Sequence, residues 1–249
     1  MRLRVKSDDP TLNSRRETIA RRVISEFGER LPERLLIFLD DVDWPDWKDE
    51  QPANRGFHVI LPWVGIDQGP TYLGDFVAED AESSYGVLTE FVYLHGSTCL
   101  FDIGLTMTLA HELQHVIQQT HNRTAMAASR LIREFVDETN NDVKFQWSDI
   151  PNEREARIVQ KRVAVTFYDD KAISAFIDAR IANAVNAADA EDWRFVQGLD
   201  PTLPYDLTQH TIEVFKRLRE YRPALRALLP RITARPEFAG VDLSEFFED

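Results

Sequence analysis

One long segment, DIGLTMTLAHELQHVIQQTH at residues 102–121, constrains the fold of this chain more than any other feature. Its apolar side chains recur at helical spacing: Leu105, Leu109, Val116 and Ile117. The pattern predicts a long helix, and Asp102 suits its N-cap. Because the apolar face is extensive, other elements of the chain must pack on it.

The segments on the two sides of this helix differ in period. Before it, an opening helix at 15–31 precedes short apolar runs at 34–42, 56–65 and 85–96 that read as strands, with two weaker strand signals at 72–77 and 97–102. After it, helical patterns follow at 124–138, 151–168, 170–188 and 206–221. The sequence therefore predicts an α+β fold in a single domain, with an α+β part over 1–101, central helices over 102–170 and a helical part over 171–249.

Composition limits the partners of the chain. A net charge of −13 over 249 residues disfavours binding to a nucleic-acid backbone and favours a basic protein or peptide, if charge selects a partner at all. Cys99 is the single cysteine, which fits a reducing compartment. The charged start has no apolar core of a signal peptide, and no run of about 18 apolar residues exists to span a membrane. We expect a soluble, cytoplasmic protein with no membrane or nucleic-acid partner.

The central helix contains the pattern H-E-x-x-H at residues 111–115. Residues i and i+4 of a helix lie about 40° apart around its axis and roughly 6 Å from each other. His111 and His115 can therefore bind one Zn²⁺ together, and Glu112 beside them can take a proton from an attacking water. Burying these groups on an apolar helix without partners would be costly, so a zinc site is preferred over two hydrogen-bonded histidines.

His121 is the first candidate for a third protein ligand. His111, His115 and His121 match the histidines of the metzincin pattern H-E-x-x-H-x-x-G-x-x-H. The glycine of that pattern lets the chain turn sharply, because on an unbroken helix the third histidine would lie about 80° from the first. Gln118 occupies the glycine position, and Met126 follows too closely for a Met-turn. Both departures disfavour His121.

The second candidate is a glutamate in PNEREA, residues 151–156. Here the chain resembles the gluzincins, zinc peptidases that take their third ligand from a later helix, often in an E-x-x-A-[ND] pattern, as in ImmA/IrrE-type and M48-like peptidases. The alignment selects Glu153, with Asn152 placed to orient it, and leaves Glu155 as the alternative. Arg157 departs from the usual Asn or Asp. The resemblance covers about residues 85–170.

The resemblance implies a zincin-like fold and a zinc-dependent peptidase. His111, His115 and Glu153 would hold the metal, and Glu112 would act as general base. The alternative from another class is a catalytically silent zincin scaffold that serves as a metal-stabilised binding or regulatory module. His210, Tyr168 and Tyr205 are candidates for stabilising an oxyanion, although each is more simply a packed residue. Residues 85–96 form either the edge strand that pairs with a peptide or an internal strand.

Overall fold

The computed structural model describes residues 1–7, 9–40, 56–62, 88–95, 98–139 and 145–248. The predicted strand at 72–77 lies outside these residues. Two compact units make up the chain, Met1–Val116 and Ile117–Asp249. Their boundary falls inside the helix Asp102–His121, which contributes residues to both units.

The first unit contains a four-stranded sheet. Its strands, in chain order, are β1 (Arg2–Lys6), β2 (Leu35–Asp40), β3 (Gly56–Pro62) and β4 (Leu88–His95). They lie in the order β1-β2-β4-β3, with β1, β2 and β4 parallel and β3 antiparallel to β4. Since β4 has a neighbour on each side, the described part of the predicted strand 85–96, Leu88–His95, is an internal strand, and β3 forms one edge of the described sheet.

Strands β2 and β4 are buried along their apolar runs, as expected for central strands of a mainly parallel sheet. Phe38 of β2 lies between two aromatic rings of β4, with centroids 6.2 Å from Phe91 and 6.3 Å from Tyr93. Near the β3 edge, the imidazole of His58 pairs with the carboxylate of Glu90. The apolar strand signals at 34–42, 56–65 and 85–96 thus correspond to observed strands.

Helix α1 (Pro10–Phe27) connects β1 to β2. Asp9 caps its first turn by accepting a hydrogen bond from the Thr11 amide at 2.8 Å, and Pro10 supplies the fixed φ of the first helical position. The helix ends at Gly28, whose φ of 55° favours glycine. The predicted helix at 15–31 is present but begins earlier, because its capping signal precedes its apolar stripe.

For the first unit, one sequence expectation is wrong and one strand was not predicted. Residues 98–102, the described part of the strand predicted at 97–102, do not form a strand, since Thr98–Leu100 is a 3-10 turn just before the next helix. Strand β1 was not predicted, because Arg2, Arg4 and Lys6 give the segment the composition of a charged tail. Charged residues alternating with Leu and Val are typical of a short strand at a sheet edge.

Helices dominate the rest of the chain. They are α2 (Asp102–His121), α3 (Arg123–Glu138), α4 (Pro151–Phe167), α5 (Asp170–Ala182), α6 (Ala187–Gly198), α7 (Leu207–Arg217) and α8 (Arg222–Thr233). The helix predicted at 170–188 is present but ends at Ala182, because Asn186 caps a separate helix by accepting from the Asp189 amide at 2.9 Å. Helix α8 was not predicted. A mostly helical structure with one small, mainly parallel sheet is consistent with the α+β class.

The second unit has its own apolar core, built from α3, α7, α8 and the last residues of the chain. Phe215 of α7 is 1% exposed and packs against Phe246 and Phe247, with ring centroids 5.2 and 5.4 Å away. The C-terminal residues therefore belong to the core. Within the described part of the chain, no helix has the length and apolar character needed to cross a membrane.

Candidate metal centre

Helix α2 places the two histidines of H-E-x-x-H side by side. Their Nε2 atoms lie 3.1 Å apart, and the two rings meet edge to face, with centroids 4.7 Å apart. Both side chains are buried, His111 at 6% and His115 at 7% exposure. Two nitrogens bound to the same tetrahedral zinc ion at about 2.0–2.1 Å would be roughly 3.3 Å apart. The observed spacing therefore suits two ligands of one ion.

Glu153, in the first turn of α4, completes a group of three buried ligand residues. One atom from each of His111, His115 and Glu153 can be chosen so that all three lie within 4.8 Å of one another. Two imidazole nitrogens and a carboxylate oxygen are a donor set that zinc takes in catalytic sites, where a fourth position stays open for water or substrate. The residues thus fit a divalent ion with the ligand preference of zinc.

The start of α4 is organised around Glu153. Pro151 stands at the first helical position, and the side chain of Asn152 donates to Oε1 of Glu153 at 3.3 Å. Glu153 is only 5% exposed, and Asn152 is 7% exposed. A carboxylate that binds a metal is commonly held by a hydrogen bond of this kind. The contact expected between Asn152 and Glu153 is present.

Glu112 follows His111 on α2 and is 7% exposed. One residue along a helix corresponds to a rotation of about 100°, so its carboxylate leaves the helix in a different direction from the two imidazoles. It is not a member of the three-residue group. A buried carboxylate adjacent in sequence to a metal ligand is the type of group that general acid–base catalysis uses.

The two alternative ligands do not join the group. Glu155 is half-buried, and its carboxylate accepts a hydrogen bond from the side-chain amide of Gln118 at 2.8 Å. His121 is the last residue of α2 and is exposed. Gln118 departs from the metzincin motif, but its position, three residues after His115, also places it on the same side of the helix as the histidines. This was the sequence signal for its contacts with the residues that flank Glu153.

Arg130 of α3 is a second residue that sequence reasoning missed. Burial, together with the positive charges of Arg133 and Arg235, lowers the pKa of Arg130 to about 10, while Glu134 and Glu153 act in the opposite direction. Its Nε atom has no hydrogen-bond partner among the described residues. The positive charge of Arg130 thus interacts favourably with Glu153, although less than with Glu134. No motif or period in the sequence pointed to it.

The three oxyanion candidates are engaged elsewhere or lie outside the group. The Tyr205 hydroxyl donates to the carbonyl oxygen of Pro151 at 3.0 Å, and its ring centroid lies 5.3 Å from that of His210. Burial and the Glu155 carboxylate raise the pKa of Tyr205. Burial and Arg154 lower the pKa of His210. Tyr168 stands at the C-terminal end of α4, with its ring against Phe167.

Comparison of the chain with protein-family models, with curated proteins and with solved structures finds no match.

Proposed function

We propose that this protein is a zinc-dependent peptidase of the gluzincin type, with a zincin-like fold. His111, His115 and Glu153 would hold the ion, and Glu112 would serve as general base. The observation that carries the proposal is the convergence of three buried ligand residues within 4.8 Å, two from the H-E-x-x-H segment of α2 and one, Glu153, from the first turn of α4. Three protein ligands leave one coordination position open, as in catalytic zinc sites, whereas structural sites are closed by four.

Peptide hydrolysis needs an electrophile, a base and an acid. A bound zinc ion would supply Lewis acidity, which polarises the scissile carbonyl and activates water at neutral pH. Glu112 would accept a proton from the attacking water as the new C–O bond forms. The same carboxyl group would then deliver a proton to the nitrogen of the leaving amine as the C–N bond breaks.

The charges of the group support a cation site. A buried carboxylate such as Glu153 is costly unless a positive charge or hydrogen bonds compensate it. Asn152 supplies one hydrogen bond, and Arg130 supplies an electrostatic partner. Two neutral imidazoles and one carboxylate leave a divalent ion with a net positive charge, which favours polarisation of a bound carbonyl.

We further propose a protein or peptide substrate in a reducing compartment such as the cytoplasm. The net charge of −13 makes a basic substrate the better match, because opposite charge accelerates encounter. A Lys- and Arg-rich library of fluorescence-quenched peptides is therefore the first substrate set to test.

Metal content and activity test the proposal together. Wild-type protein, purified and loaded with zinc, should hold one equivalent by metal mass spectrometry. Glu153→Ala should lose it, and His121→Ala should keep it. Glu112→Gln should keep the zinc and lose hydrolysis of the library by at least about a hundredfold, since general acid–base groups contribute about 10²–10⁴.

Other outcomes would indicate a different metal site or a different function for this protein. Zinc lost in His121→Ala but kept in Glu153→Ala would indicate a three-histidine site. A wild type that binds zinc but shows a biological effect unchanged by Glu112→Gln would be the metal-stabilised regulatory module. A wild type that binds no zinc would contradict the proposed function.

A further inference from the structure

Gln118 lies on the side of α2 that carries the two histidines. It is seven residues after His111 and three after His115, which corresponds to about 20° and about 60° around the helix axis. Its side chain is fully buried, at 0% exposure. A buried carboxamide needs partners for its polar atoms. Those partners are on α4.

The Nε2 atom of Gln118 donates two hydrogen bonds, one to the backbone carbonyl of Asn152 at 2.9 Å and one to Oε2 of Glu155 at 2.8 Å. Both hydrogens of the amide are thus used. The two acceptors stand immediately before and two residues after Glu153. The amide therefore holds the first helical turn of α4 from both sides of the proposed ligand.

The hydrogen bond to Glu155 has a charged acceptor, and such bonds are about twice as strong as neutral ones. The second bond reaches Asn152, the residue whose own side chain donates to Glu153 at 3.3 Å. Gln118 therefore acts on Glu153 through the backbone and side chain of its neighbour. It is not itself a member of the ligand group.

We propose that Gln118 is a positioning residue that makes Glu153, and not His121, the third ligand. This inference rests on the proposed metal site. In the three-histidine pattern a glycine at this position turns the chain, which brings the later histidine to the metal. Here α2 continues without a break to His121, which remains exposed, and the side chain at the same position fixes α4.

The chemistry of the position restricts the residue. Glycine or alanine has no donor for Asn152 or Glu155. Glutamate would set one carboxylate against another, and a methionine of similar length would fill the space without donating. Among these side chains, only an amide with two N–H groups satisfies both acceptors.

Gln119 provides a matched control on the next position of α2. It is also a buried glutamine, at 4% exposure, and its Nε2 donates to a backbone carbonyl, that of Glu237, at 3.1 Å. That contact involves the C-terminal part of the second unit and not α4. Gln118→Met and Gln119→Met therefore remove the same chemical group from the same helix, and they differ in whether the first turn of α4 loses its support.

The test measures the zinc dissociation constant by competition with a chromophoric chelator, beside the melting temperature of the metal-free protein. Gln118→Met should weaken zinc binding by about 10–100-fold, the usual effect of removing a group that orients a ligand. Gln119→Met should bind zinc within about twofold of wild type, even if both variants melt earlier without metal. Glu155→Ala should also weaken binding, and the double variant Gln118→Met/Glu155→Ala should bind little worse than the weaker single variant.

Suppose that Gln118→Met and Gln119→Met bind zinc equally well, while Glu153→Ala loses it. That result would overturn this inference and leave the proposed function standing. Failure of the wild type to bind zinc, or zinc retained in Glu153→Ala, would overturn both. If Gln118→Met does not fold, the same zinc-affinity measurement is made on Glu155→Ala, with Gln119→Met as the control. A zinc affinity of Glu155→Ala equal to that of wild type would then count against the inference.

Discussion

The Tyr205 hydroxyl and the carbonyl oxygen of Pro151 are joined by a hydrogen bond of 3.0 Å. Pro151 begins α4 two residues before Glu153, so this contact anchors the helix that carries the proposed third ligand. A phenol that already donates its single hydrogen has none left for a developing oxyanion. Tyr205 therefore supports the start of α4, and its hydroxyl is not placed to stabilise an oxyanion, the function that the sequence suggested for it.

Tyr205→Phe tests this view. The variant removes one partly buried hydrogen bond, and the Pro151 carbonyl can still accept within the helix, so we expect a loss of about 0.5–1.5 kcal/mol in the free energy of unfolding. Zinc content and kcat on a peptide substrate should stay within a few-fold of wild type. A loss of a hundredfold or more in kcat with zinc retained would restore Tyr205 as a donor to the transition state.

His210 should make stability depend on pH. Burial and, secondarily, Arg154 lower its pKa in the folded protein, with Glu213 opposing them. As the pH falls through about 6.5, the unfolded chain binds a proton before the folded protein does, so stability decreases with acidification. For one proton the slope is at most about 1.4 kcal/mol per pH unit, and partial solvent exposure reduces it.

The measurement is denaturant unfolding of the metal-free protein from about pH 7.5 to about pH 5, a range that spans the ordinary pKa of a histidine. His210→Phe, which retains a ring beside Tyr205, should flatten the pH dependence. His121→Gln, a change at an exposed histidine, should leave it as in the wild type. An identical slope in His210→Phe and wild type would assign the acid sensitivity to other groups.

Arg130 should matter more to the metal-free protein than to the loaded one. Its charge interacts with the buried Glu153 carboxylate, and Arg130→Met would leave that carboxylate with less compensation. We expect a loss of about 1–3 kcal/mol in the free energy of unfolding without metal, on the scale of an uncompensated buried polar group. Zinc should recover part of it, so the zinc-induced rise in melting temperature should be larger than in wild type.

Arg133→Met is the control, because the Arg133 guanidinium lies over the Trp147 ring at 4.3 Å. It should lower the melting temperature equally with and without zinc. An equal zinc-induced shift in Arg130→Met and wild type would show that Arg130 does not compensate Glu153.

The sequence located what depends on local pattern. Hydrophobic periodicity predicted the helix 102–121 and the strands near 35–40 and 88–95, and a proline predicted the start of α4 at Pro151. The structure contains all of these elements. It could not choose between Glu153 and Glu155 by periodicity, because both flank the apolar stripe of α4. The choice depends on a contact between segments distant in the chain, the Gln118 amide against Glu155.

Other misses have the same origin. The alternation in strand β1 is only five residues long, and its pairing with β2, in the register Leu3 to Ile37 and Val5 to Leu39, distinguishes it from a charged tail. The electrostatic partnership of Arg130 with Glu153 joins α3 to α4 and leaves no mark on either local sequence. Local propensity specifies elements, whereas their partners follow from tertiary packing.

The aromatic cluster at the chain's end predicts that the last residues stabilise the second unit. Phe215 is 1% exposed between Phe246 and Phe247, and Phe215→Ala would leave a cavity there. We expect a loss of about 3–5 kcal/mol in the free energy of unfolding, the sum of lost transfer energy and the cavity. Leu203→Ala, at a position 57% exposed, should change it by less than about 0.5 kcal/mol. Truncation before Phe246 should destabilise the unit by an amount similar to Phe215→Ala, because it removes the same ring contacts. A truncated chain as stable as wild type would mean that these phenylalanines do not support the core.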